Sequence, residues 1–168
     1  MDNPEKNNYS RESVWDYPRH PIVECVPQPV EVILIGEVIA SSNNAKRVLE
    51  KGHPPVYYIP LEDVKNQSLR DSSRRTWCEW KGDAFYYHVV VGERISKNAA
   101  WYYPNPTPAF EEIKNYLAFY AGKMDACYVG GEIVKPQAGD FYGGWITNDI
   151  EGPFKGSPKE RFTYQNEK

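Results

Sequence analysis

The residues with the most chemistry to offer stand in one short run, Thr76-Trp77-Cys78-Glu79-Trp80-Lys81-Gly82-Asp83-Ala84-Phe85-Tyr86. A thiol close to an ammonium is a candidate nucleophile, because a nearby cation favours the thiolate. A base such as His53 or Glu50 would have to reach Cys78 for that chemistry to run. Glu50 with Lys81 is the alternative, an acid–base pair that needs no thiol. Read as a strand entering a tight turn, the run places Trp77, Glu79 and Lys81 on one face and Cys78 and Trp80 on the other. Gly82 permits the reversal that returns Tyr86 beside Trp80. The plainer alternative is a hairpin with Cys78 and Trp80 packed in the core, since unpaired cysteine is among the most buried residue types.

Two further groups carry recognition chemistry. Trp15-Asp16-Tyr17-Pro18 and Trp101-Tyr102-Tyr103-Pro104 both read W-x-Y-P. In extended chain the Trp and Tyr of each would point the same way, lining two walls of one hollow or packing at two separate edges. The run Glu50-Lys51-Gly52-His53-Pro54-Pro55-Val56-Tyr57-Tyr58 sets a carboxylate, an imidazole and two phenols before a rigid Pro-Pro, a candidate polar rim. His53 itself reads as a surface loop residue, and His88 as a strand residue that satisfies a hydrogen bond; His20 carries no signal.

Several standard chemistries are missing. The chain has no G-x-S-x-G elbow, no G-x-x-x-x-G-K-[ST] phosphate loop and no G-x-G-x-x-G. Three scattered histidines without H-x-x-x-H, and the unpaired Cys25, Cys78 and Cys127, give no metal-ligand spacing, so neither metal nor cofactor is expected. The odd, widely spaced cysteines also argue against a disulfide framework and for a reducing cytoplasmic setting. A net charge of −3 and no basic run longer than Arg74-Arg75 make nucleic acid a poor partner. No apolar run approaches the roughly 18 residues of a membrane helix, and the polar first residues are no secretory signal.

The elements that must position these groups read as mainly β. Val30–Ile39, Tyr86–Ile95 and Asp125–Val134 are each a β-branched or aromatic run, then Gly-Glu or Gly-Gly, then a second short apolar run. Three such Gly-turn hairpins predict antiparallel sheets of short strands. One or two short helices are expected: one capped at Ser42 or Asn43 and running through Ala45 to Glu50, and one capped at Thr107 with Pro108 in its first turn. Leu117 to Tyr120 also suits a strand, and Asn66 to Arg75 reads as a polar loop. Fourteen prolines keep the strands short. Residues 1–11 are expected as a disordered arm, 12–152 as one domain and 153–168 as a flexible tail. The aromatic share, 14% with thirteen Tyr and five Trp, points to half-wet surfaces and pockets.

The chain also resembles a known family. Glu12 to Arg19, Val48-Leu49-Glu50 with Pro55-Val56-Tyr57-Tyr58, the Cys78-x-Trp80-Lys81-Gly82-x-Ala84-x-Tyr86 hairpin, Asn98-x-Ala100-Trp101-x-Tyr103-Pro104 and Phe119-Tyr120 are similar to the motifs of the domain of unknown function family numbered 427, over about residues 12 to 152. That family carries a nucleotidyltransferase label, but this chain has no Gly-Ser followed by the paired aspartates that hold Mg²⁺ and a triphosphate. The resemblance implies a β-tent-like fold, in which small antiparallel sheets lean together over a pocket. Relatives in that group hold zinc through four cysteines, which three unpaired ones do not supply. It implies as site residues Glu50, Tyr58, Cys78, Trp80, Lys81, Tyr86, Trp101 and Tyr103.

Three functions fit these residues. The first is a small-molecule binding domain. Trp and Tyr faces attract a flat or cationic ligand at about 1–2 kcal/mol per desolvated cation–π contact. Glu50 or Glu79 would neutralise a cation, and Lys81 would pair with an anionic group. The second is an enzyme acting on a small metabolite through Cys78 or the Glu50/Lys81 pair. The third is a protein-interaction module, a homodimer included, since edge strands and aromatic patches invite pairing.

Overall fold

A computed structural model describes residues 11–139 and 141–156. Its strands follow in chain order as β1 (Glu12–Ser13), β2 (Ile22–Cys25), β3 (Val30–Leu34), β4 (Glu37–Ser42), β5 (Lys46–Leu49), β6 (Val56–Tyr58), β7 (Leu69–Cys78), β8 (Gly82–Val91), β9 (Arg94–Tyr102), β10 (Ala118–Phe119), β11 (Ala126–Val129), β12 (Glu132–Ile133), β13 (Lys135–Pro136), β14 (Trp145–Ile146) and β15 (Ile150–Glu151). Helical structure among the described residues is confined to short 3-10 turns. The protein is mainly β.

The three glycine hairpins form as read. β3 and β4 close around Ile35-Gly36, β8 and β9 around Gly92, and β11 and β12 around Gly130-Gly131. They assemble into two four-stranded sheets, β12-β11-β3-β4 and β10-β9-β8-β7. A three-stranded sheet, β2-β5-β6, and two ribbons, β13-β14 and β1-β15, complete the set; only the β1–β15 pairing is parallel. No sheet closes into a barrel among the described residues.

Because side chains alternate along a strand, single strands feed two different cores. On β8 and β9, Tyr86 pairs with Trp101 and Tyr87 with Ala100. Tyr86 and Trp101 join an aromatic cluster with Tyr58, Tyr103, Phe110, Ile113 and Tyr120. Ala100, with Tyr87 against it, belongs instead to the larger core of Val30, Val32, Leu34, Ile39, Val89, Leu117 and Phe119. Tyr57 and Tyr58 on β6 divide in the same way, as do Ala118 and Phe119 on β10.

Some expectations need correction. Ala45 to Glu50 is not a helix: Lys46–Leu49 is β5, held between β2 and β6. Its alternate residues Val48 and Arg47 face opposite ways, and two ladders of main-chain hydrogen bonds outweigh local helix propensity. The Thr107 segment is a 3-10 turn over Pro108–Ile113 with a kink at Phe110 rather than a regular helix. Asn66 to Arg75 is no loop, because most of it belongs to β7, the outer strand of its sheet, where an exposed edge accommodates polar residues. His88 does satisfy a hydrogen bond, accepting from the Asn98 amide at 2.9 Å.

The expected arm lies, Arg11 apart, outside the described residues. Residues 153–156 of the expected tail pack on the body, with the Lys155 amide donating to Gly52 and Trp15 Nε1 donating to Pro153; the rest of that tail lies outside the described residues. No helix among the described residues is long and apolar enough to cross a membrane.

Candidate functional site

The strand ladder fixes the floor of the site. Trp101 on β9 lies opposite Tyr86 on β8 and opposite Ala118 on β10, so two rings project side by side with a small residue next to them. Tyr58, from β6 of the neighbouring sheet, meets this floor edge-on, its ring centroid 6.5 Å from that of Trp101. Tyr103, just past β9, tilts against Tyr58 at 6.4 Å. Between them the two sheets leave a cavity of about 420 Å³.

Every residue carried over from the family resemblance lines this one cavity: Glu50, Tyr58, Cys78, Trp80, Lys81, Tyr86, Trp101 and Tyr103. His53 and Glu79 line it as well. The face assignment in the 76–86 run needs revision. β7 ends at Cys78 and the chain turns through Glu79 and Trp80, so strict alternation stops there. The turn folds Lys81 back onto Cys78, with Nζ donating to Sγ at 3.5 Å. Trp77 is left 70% exposed at the mouth, while Cys78 and Trp80 are half-buried rather than sealed in the core. His20 packs edge-on against Trp80 at 4.8 Å.

The two W-x-Y-P motifs do not share a cavity. Trp15 sits in a 3-10 turn, and Tyr17 donates to Glu12 in a separate cluster with Val14, Leu49 and Ile150. Proline-terminated extended chain holds only for the Trp101–Tyr103 copy.

Lys81 sets the electrostatics. The residue is 8% exposed, and its ammonium lies over the rings of Tyr103 and Phe110 at 5.8 and 5.4 Å. None of the ion pairs among the described residues includes it. Burial pushes the hydroxyls of Tyr58 and Tyr103 well above the usual phenol range. Both therefore remain neutral O–H donors at physiological pH. His53 is held down to about 4, first by burial and then by the charges of Lys155 and Lys81. Its neutral state agrees with its partner. The Gln137 amide oxygen accepts from Gly144, which turns the Nε2 donor toward Lys155 O at 2.6 Å and His53 Nδ1 at 3.2 Å. Glu50 is half-buried and Glu79 exposed on the same lining.

Sequence reasoning missed the far wall: Gln137, Phe141, Tyr142, Gly143 and Lys155. The signal was present only in Gly143. A Cβ there would stand 2.2 Å from the Trp101 ring, so the segment reaches the indole only as glycine. Tyr120 fastens it by donating to Phe141 O at 2.8 Å.

A second hollow of about 490 Å³ is lined by Glu12, Glu24, Arg47 and Asp149, among others. Its cation is already spent internally, since Arg47 pairs with Glu24 at 2.7 Å and Glu12 at 3.4 Å. Among the described residues no group of His, Cys, Asp and Glu could hold a metal ion.

No curated protein matches the chain. A family model does match, over residues 22–130, a span that holds every carried-over site residue and stops short of the Gln137–Lys155 wall. With well over half its length in that pattern, the chain belongs to the family described as a domain of unknown function (DUF427).

Proposed function

We propose that this protein binds a small planar molecule bearing an anionic group, with its rings against Trp80, Trp101 and Tyr86 and its charge on Lys81. The observation that carries the reading is the buried Lys81 ammonium in the cavity wall without a carboxylate partner among the described residues. A cation held in a largely apolar wall gains most from a counter-charge, and its contacts there are the Cys78 sulfur and the rings of Tyr103 and Phe110. The neutral Tyr58 and Tyr103 hydroxyls add donors, and Lys155 adds a second positive charge. About 420 Å³ suits a molecule of one or two rings. Glu50 and Glu79 serve as a rim that discriminates against more highly charged anions. Three unpaired cysteines fit a reducing cytoplasmic setting.

The test is a calorimetric and thermal-shift comparison of aromatic carboxylates, aromatic amines and neutral arenes of similar size. An aromatic acid at a hundred times its Kd should add about 2.7 kcal/mol, or about 5–10 °C in Tm. Lys81→Met should weaken it at least roughly ten-fold, the loss of about 1.4 kcal/mol from one charge-assisted contact. If no acid binds, or if amines bind equally well and Lys81→Met leaves acids unaffected, the reading fails.

A partner-binding reading draws on the exposed rings at the mouth, Trp77, Phe141 and Tyr142. It predicts that Trp77→Ser changes the oligomeric state while leaving aromatic acids bound.

A further inference from the structure

We infer that Cys78 is a covalent capture site for conjugated carbonyl compounds, flat enones that carry a carboxylate, drawn into the aromatic cavity. This rests on the anion-binding reading of the cavity and adds a bond-forming step to it.

Three features of the wall converge on the thiol. Cys78 closes β7, is half-buried, and faces the cavity. Its partner across the ladder is Gly82, which has no side chain to cover the sulfur. Lys81 Nζ stands 3.5 Å from Sγ and is itself buried without an ion-pair partner among the described residues, so an incoming carboxylate that meets the ammonium is delivered beside the nucleophile. The rings around it favour a planar π system over a flexible one. The other thiols lack this setting. Cys25 is exposed on β2, and Cys127 is sealed in the main core, where burial pushes its thiol up.

The step balances without an oxidant. The thiol gives its proton to solvent and Sγ attacks the carbon β to the ketone, forming one C–S bond. The C=C π pair moves toward the carbonyl, leaving an enolate, and the carbon next to it takes a proton from water. The net change is addition of S–H across the double bond. Lys81 holds the carboxylate on the attacked carbon or donates to the enolate oxygen, placing positive charge where negative charge develops.

The probe is benzoylacrylate, an aryl enone with a carboxylate beside the electrophilic carbon; its saturated analogue benzoylpropionate has the same outline and cannot react. Intact-mass and peptide mapping of the native full chain should show one adduct, at Cys78, forming roughly ten-fold or more faster than at exposed Cys25, which reports the unassisted rate. Excess benzoylpropionate should suppress the Cys78 adduct and spare Cys25. Lys81→Met should bring the Cys78 rate down toward that of Cys25, while iodoacetamide still labels Cys25 as in the wild type. An adduct at Cys25 that matches or outpaces Cys78, or a Cys78 adduct that benzoylpropionate does not suppress, overturns the inference. Calorimetry of benzoylpropionate on Cys78→Ala separates the two readings. Binding there with no Cys78 adduct in the wild type sinks capture and leaves the ligand site standing, whereas no binding by any aromatic acid removes both.

Discussion

At the scale of single residues, His53 offers the most direct probe of the cavity's field. Its ring accepts from Gln137, packs against Tyr142 at 4.7 Å, and faces the charges of Lys81 and Lys155. The unfolded chain takes up a proton there near the ordinary 6.5, the folded chain only near 4. Between those values the unfolded state holds more protons, so this contribution to stability is complete above pH 6.5 and is lost as pH falls toward 4. Discounted for the ring's partial exposure, the loss should be about 1–2 kcal/mol. Urea unfolding of wild type and His53→Asn at pH 7 and pH 4.5 isolates it, since the other acid-labile groups are common to both. The wild type should lose more than the variant by that amount, and parallel losses would contradict a depressed His53. Bound aromatic acid should raise the His53 pKa by NMR, as the anion offsets both lysines. Much of this cavity's lining was legible because Glu50, Cys78, Trp80 and Trp101 sit in recognisable runs. Gln137 and Lys155 were not, because a lone glutamine and a near-terminal lysine have no local pattern. Only the return of Gly143 over Trp101 and the packing of Gln137 and Lys155 beside it bring them to the cavity.

At the scale of elements, the β3–β4 turn is the least economical. Ile35 has φ 51° and Gly36 φ 71°, so both central residues take the left-handed conformation of a type I′ turn. Glycine adopts it freely; a β-branched residue is strained there. Ile35 is half solvated, and its amide donates to Asp125 Oδ2 at 2.6 Å, a bond any residue but proline would keep. Ile35→Asn should therefore stabilise the protein by about 1 kcal/mol, or about 2–4 °C in Tm. Thermal denaturation checks this, and a lower Tm would mean that the isoleucine side chain contributes packing the turn geometry does not reveal. The hairpins were readable because a glycine and a period of two are local properties. β5 was misread because Ser42, Asn43 and Gly52 mimic helix caps around Ala45-Lys46-Arg47-Val48-Leu49, while the pairing that decides its state comes from β2 and β6, distant in sequence. β7 was misread because an edge strand tolerates the polar composition of a loop.

At the scale of the whole molecule, the family pattern and the folding unit do not end at the same place. Trp145 lies beyond the matched 22–130 span, yet it is 1% exposed, stacks on Tyr57 at 5.1 Å, and donates from Nε1 to Phe119 O at 2.9 Å. Removing such a ring costs about 3–5 kcal/mol, a large part of the roughly 5–15 kcal/mol that holds a domain together. A chain ended at Val134 should show no cooperative thermal transition and a collapsed near-ultraviolet dichroism signal; a sharp transition like that of the full chain would show the matched span to be self-sufficient. The two-faced strands set a further condition. Tyr86 and Tyr87, Trp101 and Ala100, Tyr57 and Tyr58 are neighbours in sequence that serve opposite sides of the same partition. Insertion or deletion of one residue in β6, β8 or β9 would trade the hollow's furniture for the core's, so variation across relatives is expected to proceed by replacement in place. On the binding reading, the identity of the ligand would then change far more readily than the place that receives it.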